Sequence, residues 1–258
     1  MTTNIKEKTN QQNKNNIKNS MLQQAFENNL KISNLNLPNK FKSFEYWERI
    51  KSKRLLYEIE LEKDKKYARY PRGSIIKVDF GVNVGGEFSE QHFAITLSKK
   101  DGIYSNSIIV LPLTSKNHKN TVNLGKLISE SYIKSLENEI KKLKSNIKEF
   151  DIKNCEFNPN LVNEIEKIEK ILNYYKTIKD NFSYARIDQI RTISKLNILP
   201  KINEYDIVGN YKCPTHLMNL IDKNIVKTYT GYDYKEFEKF LKGIEKKDEN
   251  EVINQKNN

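Results

Sequence analysis

Along this chain the spacing of apolar residues goes from absent, to helical, to alternating, and back to helical. Residues 1–20, MTTNIKEKTNQQNKNNIKNS, are almost wholly Asn, Gln, Lys and Thr. So little apolar surface cannot offset the entropy of ordering, and residues 1–40 are expected to form a largely disordered tail. From Phe41 to about Lys66 the positions Phe44, Trp47, Ile50, Leu55 and Ile59 recur at helix-like spacing. They predict an N-terminal helical extension over residues 41–70, built from one or two amphipathic helices. Its lone tryptophan is read as a docking anchor, the functional alternative being an RNA-stacking ring.

Residues 73–82, GSIIKVDFGV, are β-branched and alternating, as a strand requires. HFAITLS (92–98) and SIIVLPLTS (107–115) follow, with KKDGIYSN as the turn between them. Pro112 inside the third run points to an edge strand or a bulge. Short strands joined by tight turns predict a small, strongly bent sheet or barrel. The period then lengthens. Ile133, Leu136, Ile140, Leu143 and Ile147 form one heptad-like stripe, and Leu161, Ile165, Ile168, Leu172 and Tyr175 form another. An antiparallel helical hairpin, inserted at about 127–180 into a domain spanning 71–244, is the economical reading. Strand signals return in FSYARIDQIRTIS (182–194), and residues 215–243 read as helix in two pieces split at Gly231, with Thr215 as a candidate N-cap. The tail from Glu245 is polar and expected to be disordered. The fold class is therefore α+β with a mainly β core.

Composition sharpens this picture. Only 37% of the 258 residues are hydrophobic while 30% are charged, and the net charge is +12. Such a balance favours a polyanionic partner, nucleic acid before membrane surface, although over-use of Lys, Asn and Ile gives the same charge. Cys155 and Cys213 stand far apart, outside any CxxC and without histidines at ligand spacing. That argues against a zinc site or a disulfide scaffold and fits a reducing, cytoplasmic setting. No apolar stretch has the length of a membrane span or a signal-peptide core.

Phosphate-loop, dinucleotide-fold, HExxH and GxSxG motifs are all missing. What remains is a set of polar residues near strand ends. Glu87, Ser89, Glu90 and His92 follow the first strand, Thr114 and Ser115 close the third, and Gln189 and Arg191 are expected at i and i+2 on one face of a later strand. Cleavage of RNA by its own 2′-hydroxyl needs a base, an acid and stabilisation of the phosphorane, with no metal or other cofactor. A glutamate, a histidine of ordinary pKa about 6.5, an arginine and a hydroxyl suffice. Each has a plainer reading as strand former, exposed face or structural histidine, and the set carries more weight than any member.

The order RGSIIKVDFGVNVGGE, HFAITLS, SIIVLPLTS and ARIDQIRTISK resembles the MazF/PemK family of toxin–antitoxin ribonucleases. The likeness covers about 72–125 and 182–200; the N-terminal extension and the hairpin fall outside it. It implies an SH3-like small barrel that is usually a homodimer. It further implies metal-independent cleavage of single-stranded RNA to 2′,3′-cyclic phosphate and 5′-hydroxyl ends, with a cognate antitoxin protein that blocks the RNA groove. By position, Glu87 matches the loop glutamate, Thr114 the active-site threonine, and Gln189 and Arg191 the QIR residues near the RNA path. Two departures stand out. Ser74 replaces an acidic residue, and His92-Phe93 replaces the usual Arg-Pro, whose arginine would act on the scissile phosphate.

The reading that follows is a type II toxin acting as a cytoplasmic endoribonuclease (mRNA interferase). His92, Thr114 and Glu87 are its catalytic candidates, and Arg72, Ser89, Ser115, Gln189 and Arg191 its RNA-binding candidates. The alternative is a non-catalytic RNA- or protein-binding module on the same barrel, such as a topoisomerase-poison-like relative or an antiphage effector.

Overall fold

The computed structural model describes residues 2–35, 37, 39–60, 65–127, 130–154, 159–178 and 181–239. Cys155 and the polar tail from Glu245 lie outside the described residues. The chain divides into two compact units, one of Met1–Leu61 with Gly81–Glu90, the other of Glu62–Phe80 with Gln91–Asn258.

In the first unit, helix α1 runs Thr2–Ser33, a 3-10 turn Asn39–Phe41, and helix α2 Phe44–Glu60. Helix α1 falls within the polar segment 1–40. Its hydrogen bonds are local, and the chain meets neither glycine nor proline before Pro38, so a helix needs no apolar stripe to continue. Ser33 Oγ donates to Glu45 Oε1 at 2.6 Å, tying the two helices. On α2 the expected stripe is only half used: Phe44 is buried, whereas Leu55 and Ile59 are exposed.

The second unit is mixed α/β, with a six-stranded antiparallel sheet. Its strands are β1 Ile75–Asp79, β2 Gln91–Thr96, β3 Ser107–Thr114, β4 Thr121–Asn123, β5 Tyr184–Arg186 and β6 Arg191–Ser194. The order is β1-β2-β3-β5-β4, and β6 also pairs with β3. Strand β3 is thus central, so of the edge or bulge expected from Pro112 the edge is not found. The hydrogen-bond phase explains the tolerance. Leu97 donates its N–H to Ile109 O, so odd-numbered β3 residues turn their backbone groups toward β2 and even-numbered ones toward the opposite edge. On that edge β6 pairs with Ser107–Val110 and β5 with Leu113–Thr114. Pro112 lies in the gap between the two ladders, where no N–H is required.

The single strand expected over 182–194 is likewise two strands, separated by a 3-10 turn at Ile187–Gln189. Arg186 and Asp188 form a two-point ion pair across it, both contacts 2.9 Å. After β6 the chain returns to the edge of β1 that β2 leaves open. Val78 bridges Ile198, Leu199 donates to Lys77 O, and Ser74 bridges Lys212.

Helices α3 Glu130–Asn154 and α4 Pro159–Lys176 are antiparallel. Lys144 meets Glu169 at 3.1 Å, while Glu137, earlier on α3, meets Lys176, later on α4, at 3.2 Å. Their stripes do not only bury each other. Ile133, Leu136, Ile140, Ile165, Ile168, Leu172 and Tyr175 join one core with Ile75, Ile95, Leu111 and Leu113 of the sheet. Tyr175 Oη donates to Asp206 Oδ1 at 2.7 Å, and the other oxygen of that buried carboxylate accepts from Ile202 N–H. Helix α5, Thr215–Thr230, ends at Gly231 in the left-handed conformation, whose N–H caps Lys227 O. Pro214 rather than Thr215 occupies the N-cap, so the side-chain cap expected there is not made. Among the described residues no helix is long and apolar enough to cross a membrane.

One buried ion pair fastens the turn after β2. Lys195 Nζ lies 2.7 Å from Asp101 Oδ1, with side chains only 2% and 3% exposed. The ammonium also donates to Ala68 O and Gly102 O, and Asp101 Oδ2 accepts Tyr70 N–H, so every partner is hydrogen-bonded. Lys195→Met should therefore lower the unfolding free energy in urea by about 3–5 kcal/mol, because it strands a buried carboxylate. Adding Asp101→Leu should recover part of that loss. Burial pushes the Cys213 thiol up from 9.0 to about 11. A raised folded pKa gives stability that is intact below the unfolded value and lost as pH rises toward the folded one. Resistance to urea should accordingly fall between about pH 9 and 11, and mass-mapped alkylation at pH 8 should modify Cys213 only after unfolding.

Candidate functional site

The strand ends of the second unit build one cleft. Strand β2 pairs with β3 through Ala94↔Pro112 and Ile95↔Leu111. His92 stands two residues before Ala94 on β2 and Thr114 two residues after Pro112 on β3, and β1 pairs Val78 with His92. His92, Thr114 and Ser115 all line an open cleft of about 220 Å³. The far wall comes from the hairpin and the chain leaving it, through Tyr174, Ile178, Asn181, Phe182 and Ser183, while Lys77, Gln91, Phe93 and Leu113 complete the floor. Thr114 Oγ1 accepts the N–H of Lys116 at 3.2 Å, which fixes the rotamer at the strand end.

The remaining candidates lie elsewhere. Arg191 begins β6 and pairs with Val110, four β3 residues from Thr114, or roughly 13 Å along the strand. Gln189 ends the 3-10 turn. The two are therefore not at i and i+2 of one strand, because the turn that carries the Arg186–Asp188 pair intervenes. Arg72 is half-buried, donating to Leu97 O and pairing with the Asp222 carboxylate. That contact gives the arginine an internal role in joining α5 to the sheet.

Glu87 and Ser89 belong to the first unit, on the loop Gly81–Glu90. Internal hydrogen bonds shape that loop: Asn83 N–H to Ser89 Oγ at 3.0 Å, Asn83 Nδ2 to Phe88 O at 2.7 Å, and Glu90 N–H to Gly81 O at 2.7 Å. Lys40 Nζ donates to Asn83 O and Gly85 O, both at 2.9 Å. Ser89 thus has a structural task in the loop, and Glu87 is exposed. Trp47 packs against Gly81, where an added Cβ would come within 1.9 Å of its indole nitrogen. The docking reading of the tryptophan is the one its surroundings match.

Lys77 and Tyr174 escaped the sequence reading. A lysine in the otherwise buried run IIKVD was a visible irregularity. Tyr174 gave no signal, because it is the neighbour of the stripe residue Tyr175 and its partner is far away in sequence. Among the described residues, no three His, Cys, Asp or Glu side chains come together as metal ligands.

The loop offers a direct test. Gly81 has φ +79 besides its contact with Trp47, so Gly81→Ala meets a backbone cost of about 1–2 kcal/mol as well as a collision. Red-shifted emission from the single tryptophan and a lower unfolding midpoint are expected; an unchanged spectrum would show that Trp47 is not seated there. No protein-family model matches the chain, and no curated protein matches it.

Proposed function

We propose that this chain is a metal-independent endoribonuclease that cleaves single-stranded RNA through the 2′-hydroxyl, acting as the toxin of a type II toxin–antitoxin pair. The reading rests on the sequence motifs, and one structural observation carries it further: His92 and Thr114 line the same open cleft. In this scheme the His92 imidazole exchanges a proton with the 2′-hydroxyl or the 5′ leaving oxygen, and the Thr114 hydroxyl donates to the phosphate. Glu87 keeps the role implied by its position in the motif. The return of the chain from β6 onto the open edge of β1 supports the SH3-like barrel. A cognate antitoxin, a homodimer and a cytoplasmic location belong to the same proposal.

The test is incubation of the purified chain with a mixed RNA pool in EDTA, followed by end-group analysis. Discrete products with 2′,3′-cyclic phosphate and 5′-hydroxyl ends are expected. His92→Ala should slow cleavage by about 10²- to 10⁴-fold, and the wild-type rate should titrate between about pH 5.5 and 8. Thr114→Val and Glu87→Gln should each reduce kcat. Retention of RNA without cleavage would replace the enzyme by a binding module.

A further inference from the structure

The cleft beside His92 and Thr114 has an unbalanced lining. Among the described residues Lys77 is the one lysine or arginine that lines it, and no described aspartate or glutamate does. Lys77 sits mid-strand in β1 and pairs with Phe93. Its ammonium donates to Tyr174 Oη at 3.0 Å and stands 5.3 Å from the centroid of that ring. Among the described residues no carboxylate forms an ion pair with it. An ammonium has three N–H groups, and the tyrosine takes one. Among the described residues no other side chain takes the remaining two, in a setting where a cation over an aromatic ring is held without being neutralised.

We infer that Lys77 is the phosphate-binding cation of this cleft and that Tyr174, on helix α4, is the positioning residue that aims it. The ligand class is a single-stranded phosphodiester. One nonbridging oxygen would meet the ammonium, with the exposed Phe182 ring on the same wall offering a face to an adjacent base. The inference rests on the ribonuclease reading for the identity of that ligand. It also gives the helical hairpin a part in the site, because α4 supplies the phenol that orients the cation.

The experiment uses the full chain and a fluorescent oligoribonucleotide of mixed sequence, 2′-O-methylated throughout so that it binds without being cut. Anisotropy across a potassium chloride series reads affinity and its salt slope, and unmodified RNA of the same sequence reads cleavage. Lys77→Met should weaken binding about tenfold and reduce the magnitude of the log–log salt slope by about 0.7, the loss of one contact to a single strand. Lys77→Arg should restore the slope. Tyr174→Phe should keep the slope and weaken binding about two- to fivefold.

If the wild type binds and cleaves while Lys77→Met leaves affinity and slope unchanged, the assignment of Lys77 is overturned and the ribonuclease reading stands. If the wild type neither binds nor cleaves RNA, both fall together. Should thermal unfolding show that Lys77→Met does not fold, Tyr174→Phe decides: unchanged affinity overturns the inference, and the stated loss supports it.

Discussion

The sheet face that carries Ile75, Ile95, Leu111 and Leu113 must be covered, and the helical pair α3–α4 covers it. Ile168, Ile171 and Tyr175 are at most 1% exposed, as are Ile75, Ile95 and Leu111 opposite them. Burying an aliphatic side chain of this size is worth roughly 1.5–3 kcal/mol, so no surface ion pair of the hairpin approaches its packing in weight. The salt bridges between α3 and α4 set their register; the apolar row holds them down. One polar contact orients the assembly. Tyr175 reaches a buried carboxylate, and both that hydrogen bond and desolvation raise the phenol well above its ordinary pKa. A neutral phenol donating to Asp206 ties α4 to the segment that carries Ile202 and Val208.

This constraint is what gives the cleft a wall. Where α4 runs out at Lys176, the chain must cross from the helical layer back to the sheet and enter β5 at Tyr184. Residues 181–183 make that return over the end of β3, beside Thr114. An insertion that only decorated the β domain would leave the strand ends open to water on all sides. Here the same packing that buries Tyr175 places its neighbour Tyr174 over Lys77. The hairpin is therefore part of the core and, through one turn of helix, part of the candidate site.

Much of this architecture was legible because its signals are local. The β-branched runs gave β1, β2 and β3, and the heptad-like stripes gave α3 and α4, since burial on one face leaves a period in the sequence. The misses have physical causes of another kind. Helix α1 has no apolar stripe to read, because a helix closes its own hydrogen bonds without a partner surface. Pro112 looked like an edge residue because the rule for proline concerns one missing donor, and whether that donor is needed depends on where two other strands change places. The Lys195–Asp101 pair and the Lys77–Tyr174 contact join residues 94 and 97 positions apart. Nothing in either local sequence marks such partners. In the candidate site the end of β3 and the histidine were visible, whereas the tyrosine that meets the cation was not.

The distribution of partners also changes what the net charge of +12 can mean. Three basic side chains near the sheet are already engaged internally: Arg72 with Asp222, Arg186 with Asp188, and Lys195 with Asp101. A charge neutralised at contact distance contributes little field beyond a Debye length, about 8 Å at physiological salt. Long-range attraction of a polyanion must then come from exposed lysines such as Lys142 and Lys144 on the outer face of the hairpin, and even these sit near Glu139 and Glu169. Overall basicity is thus a weak argument for where RNA would lie. A single ammonium in a cleft whose described lining carries no carboxylate is a stronger one, because none of those side chains opposes its field. The specificity of such a site comes from local imbalance of charge, and composition alone cannot reveal it.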